Sequence, residues 1–341
     1  MITFTEANAQ VVVANTVYVM KNGNDSTGIV ERLDKPFLTI NASVNALRTA
    51  YPDTVRNPNN RFKVVVEDGT YTESTYTFLY PYIDFDFGNS VVNLSLTDYT
   101  MVATYSANPN NDFTTKIFGN ANINNALGFV FAVTNPNTRL FVECDTILSN
   151  KDDCISMQYG YCKVICNLII NNASASTVGA GLLIFCHAIE MTQPNNAYPC
   201  VLDVVNATIT QGSTSFQATP IHFGTAGGFL APLNQALNLH NCRVTNTNSG
   251  GTYGNGSLSA ISVGVTHTEP TGSKLNLYNT VLYSLNGFTI FVSNSQPSAN
   301  LDVYYYNSNC GNNTPTIITT DATHTLNEYI STLFVNSNVQ P

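Results

Sequence analysis

Four carboxylates fall between positions 143 and 153 of this chain: Glu143, Asp145, Asp152 and Asp153. Two carboxyl groups flanking a glycosidic bond are the reagents of sugar hydrolysis, one giving a proton and the other acting as base or nucleophile. Several converging carboxylate oxygens also make a calcium site, and Lys151 and Lys163 are near enough in sequence to act as a base beside one. The plainer reading of Asp152-Asp153 is a turn with two solvated acids ahead of the strand-like run Ile155–Met157. Other chemistries lack their residues. There is no Ser/His/Asp order, no nucleophile elbow and no phosphate loop. The five histidines, at 187, 222, 240, 267 and 324, have no ligand spacing. Cys144, Cys154, Cys162 and Cys166 cluster at strand-like intervals, not in the paired short loops of a zinc site. Buried free thiols and no metal are therefore expected. No cofactor is implied, except calcium if the acids serve a lyase.

The elements that must hold these residues are announced by composition. The chain has 341 residues, 13 Lys+Arg against 22 Asp+Glu, and a net charge of −9. Only 10% of residues are charged, against roughly 25% in an ordinary soluble domain. At 43% hydrophobic it is not an acidic disordered chain. Asn occurs 45 times, with 18 Tyr, 18 Phe and no Trp; together with Thr and Val these favour strands over helices. Sparse cations exclude a nucleic-acid partner, which needs a basic footprint. No apolar run is long enough for membrane insertion, and Met1 to Gln10 lack the basic and apolar stretches of a signal peptide.

A short pattern recurs: apolar, any, apolar, any, a corner residue, two of any type, apolar. It fits the segments that start at Leu140, Cys162, Leu202, Leu237 and Leu275, with a degenerate last copy Leu301-Asp-Val303-Tyr-Tyr305. Second apolar runs follow at Ile155–Met157, Leu182–Phe185, Ile221–Phe223, Ile261–Val265 and Ile290–Val292. Period-2 alternation means strands with one buried face. Two or three strands per repeat describe one turn of a solenoid, which cannot bury its apolar face alone and so stacks. The corner residue reads Cys144, Cys166, Asn206, Asn241, Asn279, Tyr305. Asn at such a corner bonds to its equivalent about 4.8 Å away and forms a buried ladder, with Cys as the small apolar substitute. Further strands are expected at Phe62–Glu73, Tyr82–Phe87, Val91–Leu96 and Phe129–Val133. Lys35–Leu47 reads as Pro and then a short amphipathic capping helix, and Leu326–Phe334 as a second one.

Three segments carry a resemblance: Val17-Tyr-Val-Met-Lys-Asn-Gly-Asn-Asp-Ser-Thr-Gly28, Lys35-Pro-Phe-Leu-Thr-Ile40 and Val66-Glu-Asp-Gly-Thr-Tyr71. They look like the opening of pectin-lyase-like proteins, and the Gly-Asn-Asp-Ser form is similar to β-helix proteins of large DNA viruses and bacteriophages. The resemblance implies an all-β, single-stranded right-handed parallel β-helix with capped ends. Its parts would be an N-terminal segment and capping helix over 1–61, the β-helix over 62–310 and a C-terminal cap over 311–341. The superfamily includes lyases, hydrolases, adhesins and inert virion parts, so it fixes no activity. Asp152-Asp153-Cys154 looks like the Asp-Asp-Cys segment of polygalacturonases. The matching Asn-Thr-Asp upstream is here Cys144-Asp145-Thr146, and neither a Gly-His-Gly nor an Arg-Ile-Lys follows.

The fourth pattern position faces outward and reads Glu143, Ile165, Val205, His240, Tyr278, Tyr304. After its first member this column is apolar or aromatic, and a contiguous exposed apolar stripe marks an interface. Three expectations compete: a contact with other copies of the chain, as in a homotrimer, or with another virion protein, an aromatic shelf for host glycans, and a surface covered by the chain's own long loops. The resemblance, the low charge and the incomplete catalytic sets favour a non-enzymatic structural or surface protein located in a virion, as a spike, fibre or capsid-associated part. A polysaccharide-active lyase or hydrolase, or a glycan-binding adhesin, is the alternative.

Overall fold

The computed structural model describes residues 13–75, 77–95, 101–103, 113–150, 152–172, 189–192, 199–211, 219–224, 235–247, 260–265, 274–285, 289–294, 300–311, 317–319, 325–330 and 333–334. Among them the chain is all-β apart from one helix, Ile40–Ala50. The strands form a 19-stranded and a 9-stranded sheet. Neighbouring strands pair in parallel. Parallel neighbours cannot be joined by a hairpin and need a crossover; here the crossover is made of other strands. Phe62–Val66, Thr70–Glu73 and Thr77–Leu79 follow one another, and the chain then returns at Ile83–Asp86 beside Phe62–Val66. The larger sheet thus holds a first and a second column of strands, and the smaller sheet holds a third. In Arg139–Ser149 and Gly160–Asn171 one long strand serves both the first and the second column.

Alternation and register together build the core. In the first column, Val64, Phe85, Ile117, Val142, Val164, Val204, Leu239, Leu277 and Tyr305 each pair with the next and are fully buried. In the second, Val92, Ile123, Ile147, Ile169, Ile209, Val244 and Leu282 do the same. Each such side chain contributes roughly 1.5–3 kcal/mol when fully buried. The third-column runs expected at Ile155–Met157 and Ile261–Val265 are strands, as are Ile221–Gly224 and Ile290–Asn294. Leu182–Phe185 lies outside the described residues.

The N-terminal helix begins where the sequence places it. Thr39 is its N-cap and accepts from the Ala42 N–H through Oγ1 at 3.2 Å. Ile40, Val44 and Leu47 are buried, and Phe37 joins them in the core. Two carboxylates take the free N–H groups before and within the first turn. Asp25 Oδ1 accepts from Leu38 N at 2.7 Å and Thr39 N at 3.0 Å. Glu73, from the second column, accepts from Ile40 N at 2.7 Å and Asn41 N at 3.2 Å. A Cβ at Gly23 would sit 2.1 Å from the Phe37 carbonyl oxygen, so the loop closes on that segment only with glycine.

Two expectations are corrected. Among the described residues of Leu326–Phe334 there is no helix: Thr325–Ile330 and Leu333–Phe334 are strands that extend the first and second columns. A sheet edge with unpaired backbone groups recruits further strands more readily than a helix does. Strand pairing also begins before residue 62, where Thr16–Val19 pairs with Lys63–Val66. The Asn ladder exists but is exposed. Asn206, Asn241, Asn279 and Asn307 have φ of 63°, 54°, 48° and 50°. This left-handed conformation, which Asn tolerates better than most residues, turns the side chain outward. It sends the next residue, Ala207, Cys242, Thr280 or Ser308, into the core. Asn241 Nδ2 donates to Asn206 Oδ1 and Asn279 Nδ2 to Asn241 Oδ1, both at 3.2 Å. The inward Thr280 and Ser308 hydroxyls donate to the Leu239 and Leu277 carbonyls at 3.0 and 2.9 Å, which satisfies them. Cys144 and Cys166 instead stay in unbroken strands, so alternation keeps their side chains inside.

Candidate functional site

The four acids fall into two groups, Glu143 with Asp145 within the strand Arg139–Ser149 and Asp152 with Asp153 beyond its end. Glu143 stands exposed on the outer face of the first column, in register with Ile165. Asp145 lies at the corner between the columns, where its Oδ1 accepts from Asn167 Nδ2 at 2.8 Å and its Oδ2 from Thr146 Oγ1 at 3.0 Å. Asp152 and Asp153 lie beyond the far end of the second-column segment Thr146–Ser149. Four extended residues span about 13 Å, more than the roughly 5–9.5 Å between the carboxyls of a glycosidase pair. Asp152 Oδ1 accepts from the Asp153 N–H at 3.0 Å. The expected pair of solvated acids is half right: Asp152 is partly exposed, whereas Asp153 is 1% exposed. Lys151, His187, His267 and His324 lie outside the described residues. Among the described residues, no three of His, Cys, Asp and Glu are grouped to hold a metal ion.

The outward column is assembled by register. Glu143, Ile165, Val205, His240 and Tyr278 are successive partners. The last member is corrected by two residues. Leu275 pairs with Val303 rather than Leu301, so Tyr278 meets Tyr306, and Tyr304 sits beside Asn276. The shift moves the bulky Tyr305 onto the buried Leu277 stack and leaves Asn307 as the corner residue. The His240 and Tyr278 rings lie 4.4 Å apart at 1°, and Tyr278 and Tyr306 lie 4.6 Å apart at 5°. Tyr304 is parallel to Tyr306 with centroids 6.4 Å apart. Burial, and then the neighbouring Tyr306, raise the Tyr278 hydroxyl above its ordinary value of 10.0.

A second outward column, at the second pattern position, runs beside the first. Asn238 Nδ2 donates to Asp203 Oδ1 at 2.5 Å, and Asn276 Nδ2 to Asn238 Oδ1 at 2.6 Å. The Tyr161 hydroxyl donates to Asp203 Oδ2. Burial and Asp203 hold the Tyr161 hydroxyl well above its usual value. Further along the same face Phe113, Phe118, Phe141 and Tyr161 pack at 5.4–5.7 Å. The Arg139 guanidinium lies over Tyr161 at 4.4 Å. Sequence reading missed this aromatic patch, although applying the same alternation to the second pattern position points Phe141 outward.

The first-column face therefore offers aromatic rings and satisfied amide chains. Among the described residues, no reactive thiol lies on it. Cys144, Cys154, Cys162, Cys166, Cys200 and Cys242 are free and buried. Burial raises the Cys154, Cys162 and Cys200 thiols, and Cys242 to about 11. A nucleophilic or metal-binding cysteine needs the opposite shift. Cys144 donates to Cys166 Sγ at 3.8 Å, which together with burial raises it further. Among the described residues, no helix is long and apolar enough to cross a membrane. No family model, curated protein or solved structure matches the chain.

Proposed function

We propose that the three strand columns close into a right-handed parallel β-helix, and that this rod is a non-enzymatic structural or surface part of a virion. The hand follows the general chirality of parallel crossovers. The setting follows the resemblance of the Gly-Asn-Asp-Ser and Lys-Pro-Phe segments to viral and phage β-helices. The observation that carries the reading is the outward column itself. Ile165, Val205, His240, Tyr278 and Tyr306 make an apolar and aromatic stripe on one face, with Val281 and Leu285 exposed on the adjoining second column. Such a stripe is a contact surface for another chain.

The glycan shelf is the weaker reading. A sugar ring stacks on an open aromatic face, but the rings of His240, Tyr278 and Tyr306 cover one another's faces. Tyr278, stacked on both sides, presents only its edge to a ligand. The hydrolase or lyase reading is weakened by the separation of Asp145 from Asp152 and by the burial of Asp153. The test pairs two assays. The purified chain, given polyuronides with and without calcium, is expected to cleave none. Tyr306→Lys, which puts a charge into the stripe, is expected to abolish incorporation into the assembly while the isolated chain still folds.

A further inference from the structure

We infer that Arg48 and Arg56 form a binding site for a small oxyanion group (phosphate, sulfate or carboxylate) beside the C-terminal end of the helix Ile40–Ala50. Arg48 lies in the last helical turn, and Arg56 follows in the loop that leads to the first long strand. The Arg56 side chain is 1% exposed. Among the described residues its Nε and Nη1 have no hydrogen-bond acceptor, and Nη2 faces only the Asp53 carboxylate. Arg48 Nη1 donates to the Tyr80 hydroxyl at 2.7 Å, while its buried Nε also lacks an acceptor. Both guanidinium groups use one ring: their central carbons lie 3.5 Å and 5.9 Å from the Tyr80 centroid.

A buried guanidinium with open donors is costly unless something accepts from it, and native proteins leave few such groups unmet. Charge points to what would. Two cations share the Tyr80 ring while one carboxylate, Asp53, pairs with Arg56, and the carbonyl end of the helix adds roughly half a negative charge, so the site stays net positive. Burial, and then Arg48, lower the Arg56 value to about 10, which still leaves it protonated at neutral pH. Forked N–H donors match the paired oxygens of a carboxylate, sulfate or phosphate. Asp53 is the way in. Its side chain is 73% exposed, so it is the group that an incoming anion displaces from Arg56.

The test is calorimetric titration of the full chain with sodium phosphate, sulfate and acetate, at constant ionic strength set by chloride. Saturable one-to-one binding of at least one of them is expected, and the preference between acetate and the tetrahedral ions tells which oxyanion geometry the site takes. Arg48→Gln, at a partly exposed side chain, is expected to weaken binding at least tenfold, and Arg56→Gln to abolish it. Asp53→Asn removes the competing carboxylate and is expected to tighten binding several-fold. Thermal melts establish that each variant folds; if Arg56→Gln does not, Arg48→Gln and Asp53→Asn carry the test. Absence of saturable binding to all three ions, or binding unchanged in Arg48→Gln, would overturn the assignment.

Discussion

The imidazole of His240 lies flat on the phenol of Tyr278, with centroids 4.4 Å apart and planes within 1°. Tyr306 covers the other side of Tyr278 at 4.6 Å. The middle ring therefore has no free face, because parallel strands in register set equivalent side chains about one strand spacing apart. Stacking of this kind stabilises the column itself and turns ring edges outward.

Tyr278→Ala removes both contacts. Each aromatic pair contributes about 0.5–1.5 kcal/mol beyond area burial, so a loss of about 1–3 kcal/mol is expected from urea unfolding. Tyr278→Phe keeps the stack and is expected to lie close to wild type.

The outward corner makes a second prediction. Asn241 holds φ of 54° and bonds to Asn206 and Asn279. A Cβ-bearing residue without a local hydrogen bond costs about 1–2 kcal/mol in this conformation. Asn241→Ala is expected to destabilise more than Asn241→Gly, which loses the ladder but keeps the turn. The opposite order in denaturant midpoints would contradict the left-handed corner.

Glu73 gives a pH dependence. Burial raises its carboxyl above the ordinary 4.5, the Ile40 and Asn41 N–H groups pull it back, and Asp25 adds to the rise. A raised acid binds more protons folded than unfolded, so its contribution falls as pH rises. That contribution is complete below about 4.5 and is lost as pH climbs through the folded-state value. Glu73→Gln is expected to remove this slope, read as the difference between wild type and variant in urea midpoints from acid to neutral pH.

The thiols supply a fourth check. Six buried cysteines are expected to resist a thiol reagent in the native state. The chain has eight, so no more than the remaining two, Cys186 and Cys310, react before unfolding, and all eight react afterwards.

Much of this fold is legible in the sequence, for a physical reason. Leu140, Cys162, Leu202, Leu237 and Leu275 repeat with alternation, and one buried face fixes register because a slip of one residue turns every side chain over. Register failed at the last repeat, where Leu301 gives only a degenerate copy ending on the polar Ser308. Two residues on, Val303-Tyr-Tyr305-Tyr-Asn307-Ser-Asn-Cys310 fits every position, corner Asn included. Leu326–Phe334 misled because its apolar spacing suits a helix, while the preceding strands offered it a pairing edge. The acids were legible as a cluster but not as a site. Sequence proximity says nothing about the strand that separates Asp145 from Asp152, nor about the burial of Asp153.

The proposed role of the outward column is contact with another chain rather than catalysis or sugar binding. Cryo-electron microscopy of the native assembly tests it most directly. Another chain is expected to be packed over Ile165, Val205, His240, Tyr278 and Tyr306, with Asp152 left facing solvent. A column open to solvent beside a groove lined by Glu143, Asp145 and Asp153 would contradict it.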